Sequence, residues 1–414
     1  MITPDAALAR CHDLVDLARS MGADAADAAA RASASESVSV RLGKLEEVER
    51  SESEEIGLRV FVGRRSASIS TSDFAPEGLR ALAERAVEMA RLAPEDPYGG
   101  LAPADALFAG DAPDLQLNDG AEPGPADLRA AALATEDAAR AVAGVTNSNG
   151  GSAAAARSVF GLVTSSGFAR AHAGGSHTLS ASVVAGEGSE KQTDYAYRTQ
   201  RHLADLPAPE GIGREAGERA VRKVGSGSLP SGKMPVVFDP RVGGGILGHL
   251  LGAMSAPAIA RKASFLLGRE DEQLFDTAIT IAEDPHRLRG LRSRHYDGEG
   301  VPSCPRALVE QGKVTGWMTN VASAAQLDLG LTGHASRGAG GSPGIAPANV
   351  FMHAGAQSVA ELVADIEDGV FVTDLFGQGV NLVTGDYSRG ASGLRIRNGE
   401  LAGPVAEITI AGTL

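Results

Sequence analysis

The chain has 414 residues, more than one ordinary hydrophobic core accommodates, and this length predicts two domains of roughly 200 residues each. Hydrophobic residues make up 43% and charged residues 22%, which excludes a disordered protein, and aromatics at 4% leave the core to Ala, Val, Leu and Ile. A formal net charge of −14 argues against nucleic acid as a partner, because neutralising phosphates takes an excess of Lys and Arg.

The two cysteines, Cys11 and Cys304, form no CxxC pair, which fits a reducing cytoplasm better than a disulfide framework. Residues 1–10 carry neither the basic region nor the apolar run of a signal peptide. No stretch approaches the roughly 18 consecutive apolar residues of a membrane span. The expectation is a cytoplasmic protein without a membrane partner.

Thr3 and Pro4 open a first helix, Leu8, Cys11, Leu14, Val15 and Leu17 form its apolar stripe, and Gly22 ends it. Period-two alternation follows, with Val38, Val40 and Leu42 on one side and Ser37, Ser39 and Arg41 on the other. A second run from Leu58 to Phe61 leads into the polar repeat Ser66 to Ser70. These read as antiparallel, half-solvated strands. Leu79, Leu82, Ala86, Met89 and Leu92 mark a second helix. Residues 93–126 are rich in Pro, Asp, Gly and Ala without periodicity, and are expected to run extended across a neighbour.

The first pattern then returns: a helix near Leu128 to Val142, strands around Ser158 to Thr164 and Leu179 to Val184, and a charged helix from Gly213 to Val224. Gly225 to Gly232 is flexible in composition and predicts the domain boundary. The expected fold class is α+β: an N-terminal α+β domain over 1–224, including the extended segment 93–126, and a mostly β C-terminal domain over 233–414 with one buried helix.

Two motifs fail on context. Gly227 to Lys233 has phosphate-loop spacing, but Met234 replaces the required hydroxyl residue and a strand, not a helix, follows. Gly340 to Gly344 satisfies G-x-S-x-G, but Pro343 and Pro347 spoil the helix a nucleophile elbow needs. The helix after Asp239-Pro240 carries a stripe of Val242, Ile246, Leu247, Leu250, Leu251 and Met254, with His249 at its flank. His249 alone is a cavity-lining or structural histidine, since zinc needs at least three ligands. His286, His295, Asp297, Glu299 and Cys304 cluster in sequence but match no metal spacing, and are assigned to loops and surface. Asp386, Tyr387, Ser388 and Arg389 lie between Gly385 and Gly390, either as a hairpin turn or as the polar lining of a peptide cleft.

Taken in order, Glu95-Asp96-Pro97-Tyr98, Asp194-Tyr195-Ala196-Tyr197, Gly248-His249-Leu250, Arg261 to Leu266, Gly298 to Val301, Thr332-Gly333-His334-Ala335, Gly377 to Val380, Thr384 to Ala391 and Glu407 to Gly412 resemble the TldD/PmbA family of metallopeptidase-related proteins, and within it the PmbA (TldE) branch. The resemblance covers essentially the whole chain. It implies a dimeric peptidase assembly in which a TldD-type subunit holds zinc through an HExxxH helix and a later cysteine. With His249 on the second histidine of that motif, the first histidine and the glutamate fall on Gly244 and Gly245, and residues 408–413 hold no cysteine.

No catalytic residue, metal ligand or cofactor is therefore expected on this chain, and zinc is expected on the TldD-type partner. His249, His334, Asp386, Tyr387, Ser388 and Arg389 are the expected lining of a peptide cavity. The implied partners are a TldD-type subunit, or a second copy of the chain, with peptides or unfolded polypeptides as substrates. The alternative is a homodimeric, non-catalytic peptide-binding protein. The chain stops soon after Ala411-Gly412, where family members usually continue, so a further C-terminal piece is expected.

Overall fold

Helix α1 (Pro4–Ser20) starts where Thr3 accepts a hydrogen bond from the Ala6 amide, and its buried stripe of Ala7, Cys11, Leu14, Val15 and Ala18 sets it onto a sheet. The computed structural model describes residues 1–270 and 272–414. Strands β1 (Ala25–Arg41), β2 (Lys44–Val62) and β3 (Arg65–Thr71) and helix α2 (Pro76–Leu92) complete the first motif. The same order then repeats as α3 (Pro125–Arg140), β4 (Val145–Thr164), β5 (Ala169–Ala185), β6 (Gln192–Gln200) and α4 (Pro209–Arg222). Both halves share one antiparallel sheet of six strands in the order β3-β2-β1-β4-β5-β6, with β1 and β4 joined at the centre.

The four helices cover one face. Residues Ala26, Ala28, Ala30 and Ala32 of β1 face α1 and α2, while Val38 and Val40 pack with Leu128, Ala132 and Ile212 of the second half. The expectation of half-solvated strands fails over residues 26–30, which are all buried. The reason lies on the opposite face: Asp27 and Ala29 point there, and the C-terminal part of the chain covers them. Ala29 packs with Leu162, Phe168 and Tyr296, and a Cβ on Gly57 would sit 1.4 Å from the Ala339 carbonyl oxygen. Leu42 departs from the expected alternation because it occupies the β1–β2 turn at φ 51° and is exposed.

The segment 93–126 does run extended, but against its own chain. The Phe108 amide donates to the Gly300 carbonyl (2.8 Å), the Arg289 amide to the Leu115 carbonyl (2.9 Å), and His295 Nε2 lies 2.6 Å from the Pro113 carbonyl oxygen. It therefore ties the first sheet to the C-terminal region.

That region starts with β7 (Val236–Phe238) and α5 (Pro240–Ala253), followed by α6 (Ala256–Ala260), β8 (Ile281–Glu283), β9 (Arg306–Glu310), β10 (Lys313–Val314), α7 (Val321–Leu327), β11 (Ala335–Ser336), β12 (Gly344–Ile345), β13 (Val350–Met352), α8 (Val359–Val363), β14 (Asp368–Phe376), β15 (Asp386–Arg397) and β16 (Glu400–Thr413). Its sheets run β10-β9-β8-β13, β11-β12 and β16-β15-β14-β7. The fold class is α+β, as the alternation and helix stripes predicted. Besides the expected helix, α5, the described residues of the C-terminal region carry three short helical segments, α6 to α8. Among the described residues no helix is long and apolar enough to cross a membrane.

Candidate functional site

Helix α5 is fixed at its start by Asp239, whose carboxylate accepts from the Arg241 amide at 2.8 Å. Only Leu250 and Ala253 of this helix are buried, with Met254 at its C-cap. Val242, Ile246, Leu247 and Leu251 of the predicted stripe are only partly covered. On its outer face a Cβ built on Gly243, Gly244, Gly245 or Gly248 meets nothing within 4 Å.

His249 projects toward the start of β15. Its ring stands edge-on to Tyr387 with centroids 6.2 Å apart, and Arg389 follows two residues later on the same side of the strand. His249 Nε2, the Tyr387 hydroxyl and Arg389 Nε are all buried without a hydrogen-bond partner. Burial, then the Arg389 charge, lowers the His249 pKa and favours the neutral imidazole. Burial raises the Tyr387 pKa. Residues 386–389 are thus not a hairpin turn. They are the first residues of β15, paired with β16 from Asp386↔Thr413 to Arg389↔Ile410. Asp386 and Ser388 alternate to the other side and are exposed, and Thr384 donates to the Asp386 carboxylate at 2.6 Å.

His334 is separate from this group. It is 1% exposed, with Nε2 2.6 Å from Glu283 Oε2 and Nδ1 2.8 Å from Thr332 Oγ1. Burial would raise the Glu283 pKa, but His334 and the Ala348 amide hold it below its ordinary value. The expectation that His334 lines a cavity is corrected: both ring nitrogens are engaged inside the protein, where the pair fixes β8 to the residue just before β11.

Asp297 and Glu299, assigned to loops and surface from the sequence, are in a turn but deeply buried. Asp297 accepts from the amides of Glu299 (2.8 Å), Val301 (3.0 Å) and Ala335 (2.8 Å). Glu299 accepts from the Val321 amide (2.8 Å) and faces Arg59 at 3.4 Å. Arg59 in turn holds Asp27 at 2.6 Å, and Arg337 pairs with the other Asp27 oxygen. Burial pushes the Glu299 carboxyl up to about 7, against the pull of Arg59. Among the described residues no three His, Cys, Asp or Glu side chains converge as a metal-binding group.

An open cleft of about 1280 Å³ lies beside α5. Gly244, Leu247, Gly248 and Leu251 of α5 form one wall, and Ile345 of β12 and Val350 of β13 another. His249, His334 and residues 386–389 are not on its surface. Sequence reasoning missed its polar groups: Arg261 at the C-cap of α6, and Arg287, Arg289 and Arg292 in the loop after β8. The sequence signal for them is the run Arg287-Leu-Arg289-Gly-Leu-Arg292-Ser-Arg294, with four guanidinium groups in eight residues.

An α+β unit repeated about one antiparallel sheet, capped by a β-rich region that carries a glycine-faced helix beside a cleft, is an architecture shared with proteins of one metallopeptidase family. The family models match as the PmbA/TldA metallopeptidase domain 1 over residues 26–90, its central domain over 118–224 and its C-terminal domain over 231–414. The chain belongs to the PmbA/TldD metallopeptidase family. It is 36% identical over 392 residues to Metalloprotease PmbA of Escherichia coli O157:H7, covering 94% of this chain and 85% of that one. It is 35% identical over 401 residues to the PmbA homolog of Haemophilus influenzae, covering 97% and 87%. A candidate modulator of DNA gyrase from Bacteroides thetaiotaomicron superposes with a TM-score of 0.91 at 26% identity, covering 100% of this chain and 92% of that one. TldE from Thermococcus kodakarensis shares the fold, with a TM-score of 0.85 at 22% identity and coverage of 97% and 91%.

Proposed function

We propose that this chain is the PmbA/TldE-type subunit of a cytoplasmic metallopeptidase assembly, itself without a zinc site, and that it shapes the cavity where a zinc-bearing TldD-type partner cleaves peptides or unfolded polypeptides. The observation that carries this reading is the surroundings of His249. Zinc requires at least three nitrogen, sulfur or carboxylate donors. The helix positions one turn before His249 are the glycines Gly244 and Gly245, and its ring faces Tyr387 and feels the cation Arg389. A guanidinium beside the imidazole opposes a divalent cation, so the donor set does not fit zinc. The incompletely covered apolar side chains of α5 and its bare glycine face supply an association surface. The free thiols Cys11, buried, and Cys304, exposed, agree with a reducing compartment.

The test is co-expression with a TldD-type subunit carrying HExxxH, followed by elemental analysis and cleavage of an unfolded polypeptide such as casein. The complex should hold zinc and cleave. The chain alone should hold no stoichiometric zinc and leave the substrate intact. One tightly bound zinc per isolated chain, lost in His249→Ala, would sink this reading. A stable homodimer that ignores the partner but binds peptide would replace it with the homodimeric binding protein.

A further inference from the structure

The cleft beside α5 has a charge opposite to that of the molecule. Across the chain 52 Asp and Glu outnumber 38 Lys and Arg, yet the cleft is lined by Arg261, Arg287, Arg289 and Arg292 and by no carboxylate among the described residues. Arg289 is held by Asp205 at 2.9 Å. Arg261, Arg287 and Arg292 are exposed and form no ion pair among the described residues. Cations collected in one concavity of an acidic protein focus the field there and raise the local concentration of anions.

The loop that presents Arg287 and Arg292 is built rather than loose. Asn349 accepts from the Arg292 amide (3.0 Å) and donates to the Asp284 carbonyl and the Ser293 hydroxyl (2.8 Å each). Ser293 Oγ donates to the Arg287 carbonyl at 2.5 Å. The half-buried Arg201 reaches across from the end of the first sheet to the carbonyls of Gly290 (3.4 Å) and Leu291 (2.5 Å). Gly290 must be glycine here, since a Cβ would come within 2.3 Å of Ser293 Oγ. The guanidinium-bearing backbone is thus fixed before any ligand arrives, which reduces the ordering cost of binding.

Below this rim the walls are apolar, with Leu247, Leu251, Ile345 and Val350, and β13 lies at the edge of its sheet. We infer that this cleft binds acidic peptide segments, with Arg261, Arg287 and Arg292 pairing with Asp, Glu or terminal carboxylates. Apolar walls and a strand edge suit a polypeptide better than a polynucleotide, and guanidinium pairs with carboxylate through parallel hydrogen bonds. The inference rests on the reading of the chain as a peptide-handling subunit and adds the class of peptide that it selects.

Fluorescence anisotropy on the full chain tests it with labelled ten-residue peptides of one scaffold: Glu-rich, Lys-rich, and Glu-rich with an amidated C-terminus. An oligothymidylate of equal charge is the polyanion control. The Glu-rich peptide should bind at least about tenfold tighter than the Lys-rich one, and weaken as salt rises. That preference should vanish in the triple variant Arg261→Gln, Arg287→Gln, Arg292→Gln. All three side chains are exposed, so the fold should persist, and the single variants provide partial losses if it does not. Amidation separates side-chain from terminal recognition, and either result supports the site. Equal affinity for both peptides, an unchanged triple variant, or tighter binding of the oligothymidylate overturns the proposal. Binding is measured without a partner, so failure of the co-expression test leaves this result readable.

Discussion

Glu299 meets two opposing demands, burial away from water and a place beside Arg59, and burial wins: its carboxyl is raised from 4.5 to about 7. Between these values the unfolded chain has released a proton that the folded chain keeps. This contribution to stability is therefore full below about pH 4.5 and is lost as pH rises through about 7, an effect on the order of 3 kcal/mol. Glu299→Gln keeps an acceptor for the Val321 amide and should flatten that part of the profile, being tolerated best at pH 8. Arg59→Met should do the opposite. It leaves Asp27 with Arg337 alone and Glu299 without its cation, a loss of about 3–5 kcal/mol. Urea melts at pH 5 and pH 8 check both; an unaltered slope in Glu299→Gln would show that the carboxyl is not held neutral. The cluster was not visible in the sequence. Residues 27, 59, 299 and 337 carry no periodic relation, and Asp297-Gly298-Glu299-Gly300 reads as surface turn chemistry until the sheet closes over it.

At the scale of elements, α5 shows what a hydrophobic stripe can and cannot tell. The helix was legible from its cap and its apolar rows, as were α1 to α4 and the period-two strands, because each buries one face against a fixed neighbour. The degree of burial was not legible, since periodicity gives the direction of a face but not what covers it. The start of β15 was hidden differently: four polar residues between glycines have turn composition, and only pairing with β16 makes them strand. The Arg-lined cleft was invisible for the same reason as the Glu299 cluster, being assembled from α5, α6, the loop after β8 and two short strands. The bare face of α5 makes a prediction. Gly245→Ala should stabilise the isolated chain by about 0.5–1 kcal/mol, because no neighbour opposes a Cβ and glycine is costly within a helix. Gly245→Trp should leave the isolated chain folded by circular dichroism yet block assembly with a TldD-type subunit in size-exclusion chromatography. Undiminished assembly would place the interface elsewhere.

Across the whole molecule, two multi-residue ion clusters among the described residues join the first sheet to the C-terminal region at separated places. One is the Asp27–Arg59–Glu299–Arg337 cluster under the middle of the sheet. The other lies at the sheet's edge, where Asp194 of β6 and Asp374 of β14 share Lys223, just after α4, and Arg241 in the first turn of α5, at 2.7–2.8 Å. Burial would raise the Asp194 pKa, but donation from Arg241 and Lys223 outweighs it and holds the carboxyl below its ordinary 3.8. Its contribution is present above about pH 3.8 and lost as pH falls through the lower folded value. Since Arg241 also caps the sheet by donating to the Thr373 carbonyl at 3.0 Å, it links β6, α5 and β14 in one side chain. Arg241→Met should leave Asp194 and Asp374 sharing one lysine, and the two parts should then unfold separately. Calorimetry of the parent chain at pH 7 should give one cooperative transition, and the variant two, the split reproduced in the parent by acidification through the lowered folded pKa of Asp194. A single transition in the variant, shifted only in temperature, would mean that the extended segment 93–126 and the Glu299 cluster suffice to couple the halves.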